Sequence, residues 1–351
     1  MDSKTVSESN NDKRQSGPDL IRSIACFFVV GAHFYLNMGY YDVPMEGPKM
    51  FVMTACRWLF VTAVPLFFML TGYFKKKKMA ADRSHYKALI PLVISYVFIS
   101  VAKMILYNRL YGKIYGVKEI FQNLGNYQIA WYMGLYLCVF LLIPFLNKAW
   151  YALDEKEQNI LLVTLAFLCT IYPAFKYVGP SYFIGIYPVL FYYLGITVSE
   201  RRWKVNKLLL LAILGITIAL EATISMKFTT TGMFDWNLIQ TADGTYGTFF
   251  ISICTICIFL MLYEVDVKCK IIRKLLSAIS SVSFEIYLFA GAYDAIIYGY
   301  AKRYLNGPVE AFWWFFVTVP LSFTCAFISS FIFRKIVDAI LKQTEKKKEQ
   351  A

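Results

Sequence analysis

His33 and His85 are the two histidines of a 351-residue chain. They stand in opposite surroundings. His33 follows Phe27-Phe28-Val29-Val30-Gly31-Ala32, which places it deep in an apolar segment. An ionisable group there is costly and is by default a candidate for function. Imidazole takes and gives protons near neutral pH. It could therefore draw the proton from a hydroxyl that attacks an electrophile. The plain alternative is a histidine held by an interhelical hydrogen bond. His85 follows the basic run Lys75, Lys76, Lys77 and Lys78 and reads as a solvated loop residue.

Arg22 precedes His33 by eleven residues. On a helix that is close to three turns, so both project from one face, ~16–17 Å apart along the axis. Arg57 opens a second apolar stretch that continues through Val64-Pro65. A guanidinium there could stabilise charge that develops during a reaction, and Pro65 should bend the helix near that level. Asp294 and Glu285 are candidate partners for a basic group. Lys103 and Glu221 stand close enough to helix ends to snorkel. Cys254 and Cys257 have no histidine nearby and read as small apolar side chains, so no metal site is expected. Gly-rich phosphate loops, Gly-x-Ser-x-Gly and His-Glu-x-x-His are missing from the sequence, as is any two-histidine metal motif.

The elements that must position these groups follow from composition. Hydrophobic residues make up 58% of the chain, aromatics 18% and charged residues only 17%, against roughly 25% charged in soluble proteins. That excludes a disordered chain and argues against an ordinary soluble enzyme. The net charge of +13 could suggest nucleic acid. The charges cluster between apolar runs, however, so no nucleic-acid partner is expected. The first twenty residues are polar and no signal-peptide cleavage site follows them.

Apolar runs of about 20 residues mark spanning helices. The sequence predicts an all-α integral membrane fold with about ten, at 20–38, 51–74, 88–107, 128–146, 160–173, 182–198, 208–225, 245–263, 282–301 and 311–333. The fifth is short and ends in Tyr172-Pro173. Placing the N-terminus in the cytoplasm puts 26 of the 36 Lys and Arg residues in inner segments and 8 in outer ones, with Arg57 and Lys103 inside spans. That bias predicts that both termini are cytoplasmic. A polar N-terminal tail at 1–18, one membrane domain at 19–335 and a charged cytoplasmic tail at 336–351 complete the layout. His33, Arg57, Lys103, Glu221 and Asp294 then all fall in the outer half, which suggests a polar cavity opening outwards. Tyrosine-rich stretches such as 182–193 read as packing and interfacial belt.

The segment Asp19-Leu20-Ile21-Arg22 through Gly31-Ala32-His33 resembles the first-helix signature of the acyltransferase 3 family. These are bacterial integral-membrane O-acyltransferases acting on surface sugars. Cys56-Arg57, followed by Val64-Pro65-Leu66-Phe67-Phe68-Met69-Leu70-Thr71-Gly72-Tyr73-Phe74, is similar to the family's second-helix stretch. Trp131-Tyr132-Met133-Gly134-Leu135-Tyr136 with Pro144, and Ser281-Val282-Ser283-Phe284-Glu285-Ile286-Tyr287-Leu288, resemble two further family segments. One position departs: many members place a histidine just after Ile-Tyr-Leu, where this chain has Phe289-Ala290. Asp294 would have to substitute.

The resemblance implies transfer of an acyl group, usually acetyl, from cytoplasmic acyl-CoA to a hydroxyl of a cell-surface or exported glycan or its lipid-linked precursor. Acetyl-CoA would be a substrate and no metal would be needed. The enzyme would be a multi-pass protein of the bacterial plasma membrane. His33 would be the base, Arg57 the stabiliser of the oxyanion, and Asp294 a supporting carboxylate. Arg22, Lys75, Lys76, Arg83 and Lys87 would face the phosphates of the donor. Direct transfer and an acyl-enzyme route both remain open. The rival reading is a transporter or flippase with an outward-opening polar site, because intramembrane Arg, His and Asp also suit proton coupling. No internal repeat supports it.

Overall fold

The computed structural model describes residues 15–171, 185–235, 246, 248–305 and 307–349. Most of the expected N-terminal tail, residues 350–351 and parts of the expected fifth, sixth and eighth spans lie outside the described residues. The fold is all-α. Among the described residues the single β-type pairing is the bridge between Pro44 and Met233.

Among the described residues six helices are long and apolar enough to cross a membrane: Ser16–Asp42, Gly47–Lys75, Arg83–Tyr111, Trp131–Ala152, Lys207–Lys227 and Pro308–Ile340. A seventh exists if Lys270–Ser281 and Ser283–Ala301, bent by 76° at their junction, count as one span. The expectation of ten is therefore corrected among the described residues. Glu155–Ala166 has 12 residues and runs into a π-helical turn at Phe167–Ile171. Tyr187–Arg201 has 15 residues and Phe249–Leu262 has 14. A helix of that size rises only ~21–23 Å, short of a hydrocarbon core of ~30 Å.

Local sequence sets the helix ends. Asp154 accepts from the Glu157 amide at 2.8 Å, and the Glu157 carboxylate accepts from the Asp154 amide at 2.9 Å. This reciprocal pair starts Glu155–Ala166. Asn206 caps Lys207–Lys227 by accepting from the Leu208 amide at 2.8 Å. Asp82 accepts from the His85 amide at 2.8 Å, and with Ser84 and Lys78 also bonded to it, its carboxyl is held well below the usual carboxylate range. The second span breaks at Thr62 into Gly47–Val61 and Ala63–Lys75. The Thr62 hydroxyl donates to the Leu59 carbonyl at 2.6 Å there, three residues ahead of Pro65.

The first helix, Ser16–Asn37, is the pillar of the fold. It packs against both halves of the second span, both arms of the bent pair and the last helix. Tyr187–Arg201 lies against Ala63–Lys75 with backbones in near contact. A Cβ on Gly72 would fall 1.9 Å from the Tyr192 carbonyl oxygen, and one on Gly195 would fall 2.0 Å from that of Met69. Lipid-exposed helices gain no hydrophobic drive from associating, so small residues that let backbones approach are a main source of packing.

Candidate active site

The central position of Ser16–Asn37 places His33 against the second arm of the bent pair. His33 Nδ1 lies 2.6 Å from Asp294 Oδ2, and Ser322 Oγ of the last helix donates to Asp294 Oδ1 at 2.7 Å. Asp294 is only 2% exposed. An ionised carboxylate only accepts, so opposite an ionised Asp294 it is Nδ1 that donates. A neutral ring in that tautomer has its lone pair on Nε2, as a base requires. The backbone is fixed as well, since Asn37 Nδ2 donates to the His33 carbonyl at 2.8 Å.

His33 lines a cavity of about 260 Å³ whose wall also includes Arg22. The cavity therefore follows one face of the first helix over three turns. Its middle is aromatic, with Phe60, Phe67, Trp131, Tyr132, Tyr136 and Tyr287 in the wall. Pockets that enclose drug-sized ligands hold roughly 300–1,000 Å³, so this space suits a slender chain more than a bulky group.

The Arg22 end is polar. Arg22 Nη1 donates to Ser280 Oγ at 2.7 Å, and its guanidinium lies 5.1 Å from the centre of the Phe74 ring. Arg334 and Glu285 line the same cavity. They form an ion pair at 2.6 Å, with the Ser95 hydroxyl donating to Glu285 at 3.0 Å. The break at Val282 leaves Ser281 and Ser283 in the wall.

The other expected site residues lie elsewhere. Arg57 is not in the cavity wall and is 2% exposed. Its Nε donates to the Tyr41 hydroxyl at 2.9 Å, and its guanidinium carbon lies 4.4 Å from the Trp58 ring and 4.2 Å from the Phe234 ring. Depth alone had put it near His33, but the helix turns its side chain into an aromatic box instead. Glu221 is fully buried, and the Arg57 charge acts on it. Lys75, Lys76, Arg83 and Lys87 are also absent from the wall. Lys75 borders a separate surface hollow with Lys77, Lys78 and His85. His85, expected to be solvated, is buried, stacked on Phe140 at 4.4 Å, with Nε2 2.9 Å from the Phe140 carbonyl.

Sequence reasoning missed Ser322 and Arg334. Arg334 looked like one more topology charge beside Lys335, and Ser322 is one of several serines in an apolar helix. At the departing position, Ala290 is buried and Phe289 packs edge-on against Phe333. Asp294 is the residue of this helix that reaches His33. Among the described residues no group of three His, Cys, Asp or Glu side chains converges to hold a metal.

A family model described as an acyltransferase domain matches residues 15–331. No curated protein and no solved structure matches the chain.

Proposed function

The chain belongs to the acyltransferase family that this domain defines, and on that premise we propose that it is a membrane O-acetyltransferase. The acyl donor is acetyl-CoA, held on the cytoplasmic side at the Arg22 end. The acceptor is a hydroxyl of a cell-surface or exported glycan or its lipid-linked precursor. The observation that carries this reading is the Ser322–Asp294–His33 chain of hydrogen bonds, opening on a cavity that runs to Arg22.

The chemistry follows from the placement. His33 Nε2 takes the proton of the acceptor hydroxyl as its oxygen attacks the thioester carbonyl. Asp294 holds the ring by Nδ1 and stabilises the imidazolium that forms. Collapse of the tetrahedral intermediate expels the thiolate, to which the imidazolium can return the proton. The donor's phosphates are too polar for the aromatic middle and stop at Arg22, where a guanidinium can grip them. The slender acyl-bearing arm enters the cavity. Arg57 and the lysines at 75 and 76 have no place in this scheme, since they lie off the cavity wall. The positive-inside bias supports a bacterial plasma-membrane protein with both termini in the cytoplasm.

The test is transfer from labelled acetyl-CoA to candidate glycans by purified protein in lipid nanodiscs. Label should appear on glycan only with active protein and should be released by mild alkali, as an ester is. Transport of unmodified glycan across proteoliposomes, with no labelled product, would favour the transporter reading.

A further inference from the structure

We infer that Lys103 is a positioning residue for the His33–Asp294 pair: it neutralises Asp294 and so keeps His33 uncharged and able to act as a base. The inference rests on the reading of His33 as the base. It begins from a notch in a helix. Ile90–Tyr111 crosses Ser283–Ala301. At the crossing stands Gly291, and a Cβ there would lie 2.3 Å from Lys103 Nζ. The ammonium thus occupies the space that a side chain at 291 would fill. Gly291 lies three residues before Asp294, so the two share a face. Burial is the larger influence on Lys103, and the Asp294 charge opposes it. Instead of snorkelling to an interface, Lys103 turns into the helix packing, 5.6 Å from the Tyr107 ring centre.

The charge balance around Asp294 gives this placement its meaning. Asp294 faces His33 from the first helix, Lys103 and Tyr107 from Ile90–Tyr111, Tyr298 from its own helix and Ser322 from the last helix. The tyrosines and the serine are uncharged near neutral pH. A carboxylate buried in a membrane protein needs a compensating positive charge. If His33 were the only group able to supply one, the favoured state would be imidazolium with carboxylate. The base would then be spent before any substrate arrived. Lys103 supplies the charge instead. The Asp294–Lys103 set is neutral overall, and His33 donates from Nδ1 while Nε2 keeps its lone pair.

The experiment reads the protonation of His33 without relying on turnover. Diethyl pyrocarbonate modifies uncharged imidazole, and mass spectrometry of the His33 peptide reports its rate separately from that of His85. The rate is followed against pH in the wild type, Lys103→Met, Lys103→Arg and Gly291→Ala, all purified in nanodiscs and checked for monodisperse elution. Loss of one nearby charge is expected to move the pH midpoint of His33 modification upward by about one unit in Lys103→Met, so that the rate at a pH well below both midpoints falls about tenfold. Lys103→Arg should stay near the wild type. Gly291→Ala keeps the lysine but displaces its head, and should shift the midpoint in the same direction. It carries the test by itself if Lys103→Met does not fold. Coincident curves, or a loss equal at every pH, would overturn the inference. Acyl transfer by His33→Ala is measured alongside. Normal transfer in that variant would remove the base reading while leaving the measured charge effect standing. Abolished transfer with unshifted modification curves would remove only the role of Lys103.

Discussion

Asp294 meets His33 at 2.6 Å across 261 residues of chain, and the contact is made through Nδ1 of the ring, with Nε2 as the other nitrogen. Asparagine at position 294 could present either its amide or its carbonyl to Nδ1, so the tautomer would no longer be fixed. Asp294→Asn should fall by about 10²–10⁴-fold in kcat/KM, within the range of a lost general base, with little change in membrane insertion. Ser322→Ala removes one hydrogen bond to the carboxylate and should cost about tenfold. Steady-state kinetics on both variants, alongside His33→Ala, checks the order; an Asp294→Asn enzyme at wild-type rate would reduce the pair to a structural contact.

The Arg22 end makes a separable claim. Arg22→Ala should raise the donor KM about tenfold or more, because a charge-assisted hydrogen bond to phosphate is worth roughly 1.5–3 kcal/mol. Arg22→Lys should recover part of it, since an ammonium cannot form the two-pronged contact. Donor titrations at saturating acceptor measure this. An unchanged donor KM with a lowered maximal rate would move Arg22 to the chemistry instead.

The sequence made some of this legible and hid the rest for physical reasons. Arg22 and His33 could be placed on one face because a helix has a fixed pitch. Asp294 could be suspected because few carboxylates lie in apolar runs. The surroundings of Arg57 were hidden because depth along a helix says nothing of the direction of its side chain. Its aromatic box includes Phe234, a loop residue far away in sequence. The count of spans failed because an apolar window does not reveal where a helix breaks. Among the described residues, the expected spans at 160–173, 182–198 and 245–263 hold helices of only 12, 15 and 14 residues.

The helix crossing at Gly72 and Gly195 gives a stability expectation. A Cβ at either position would meet backbone, at 1.9 Å and 2.0 Å respectively, and backbone cannot swing aside as a side-chain tip can. Gly72→Ala and Gly195→Ala should each separate Ala63–Lys75 from Tyr187–Arg201 and lower the melting temperature of the purified protein. Overpacking of this kind typically costs about 1–3 kcal/mol. Gly215, which has open space around the position of a Cβ, is the control, and Gly215→Ala should melt as the wild type does.

Orientation can be checked from the charge bias alone. Reporter fusions after Lys78 and Glu200 should behave as cytoplasmic and one after Lys118 as external, since basic residues in short loops are retained inside. An external Lys78 fusion would reverse the two ends of the cavity. The donor would then have to approach from the His33 side, and the assignment of Arg22 to its phosphates would fail with it.

Arg57 and Glu221 are expected to matter for stability ahead of catalysis. Glu221 is 0% exposed, and among the described residues neither of its carboxylate oxygens meets a hydrogen-bond donor. The positive charge that acts on it is that of Arg57, itself enclosed by Tyr41, Trp58 and Phe234. Removing Arg57 takes away that charge together with the hydrogen bond to Tyr41 and the packing against Trp58 and Phe234, and a buried group left without its partner costs about 1–3 kcal/mol. Arg57→Met should therefore lower the melting temperature strongly. The double variant Arg57→Met, Glu221→Leu should regain part of it, because an apolar side chain then also replaces the buried carboxyl that has no hydrogen-bond donor among the described residues. Thermal unfolding of the two single variants and the double variant gives the coupling directly. Activity per folded molecule should change far less than it does in His33→Ala. A well-folded Arg57→Met enzyme that has lost turnover as completely as His33→Ala would instead return Arg57 to the reaction, and would require the box to open when substrate binds.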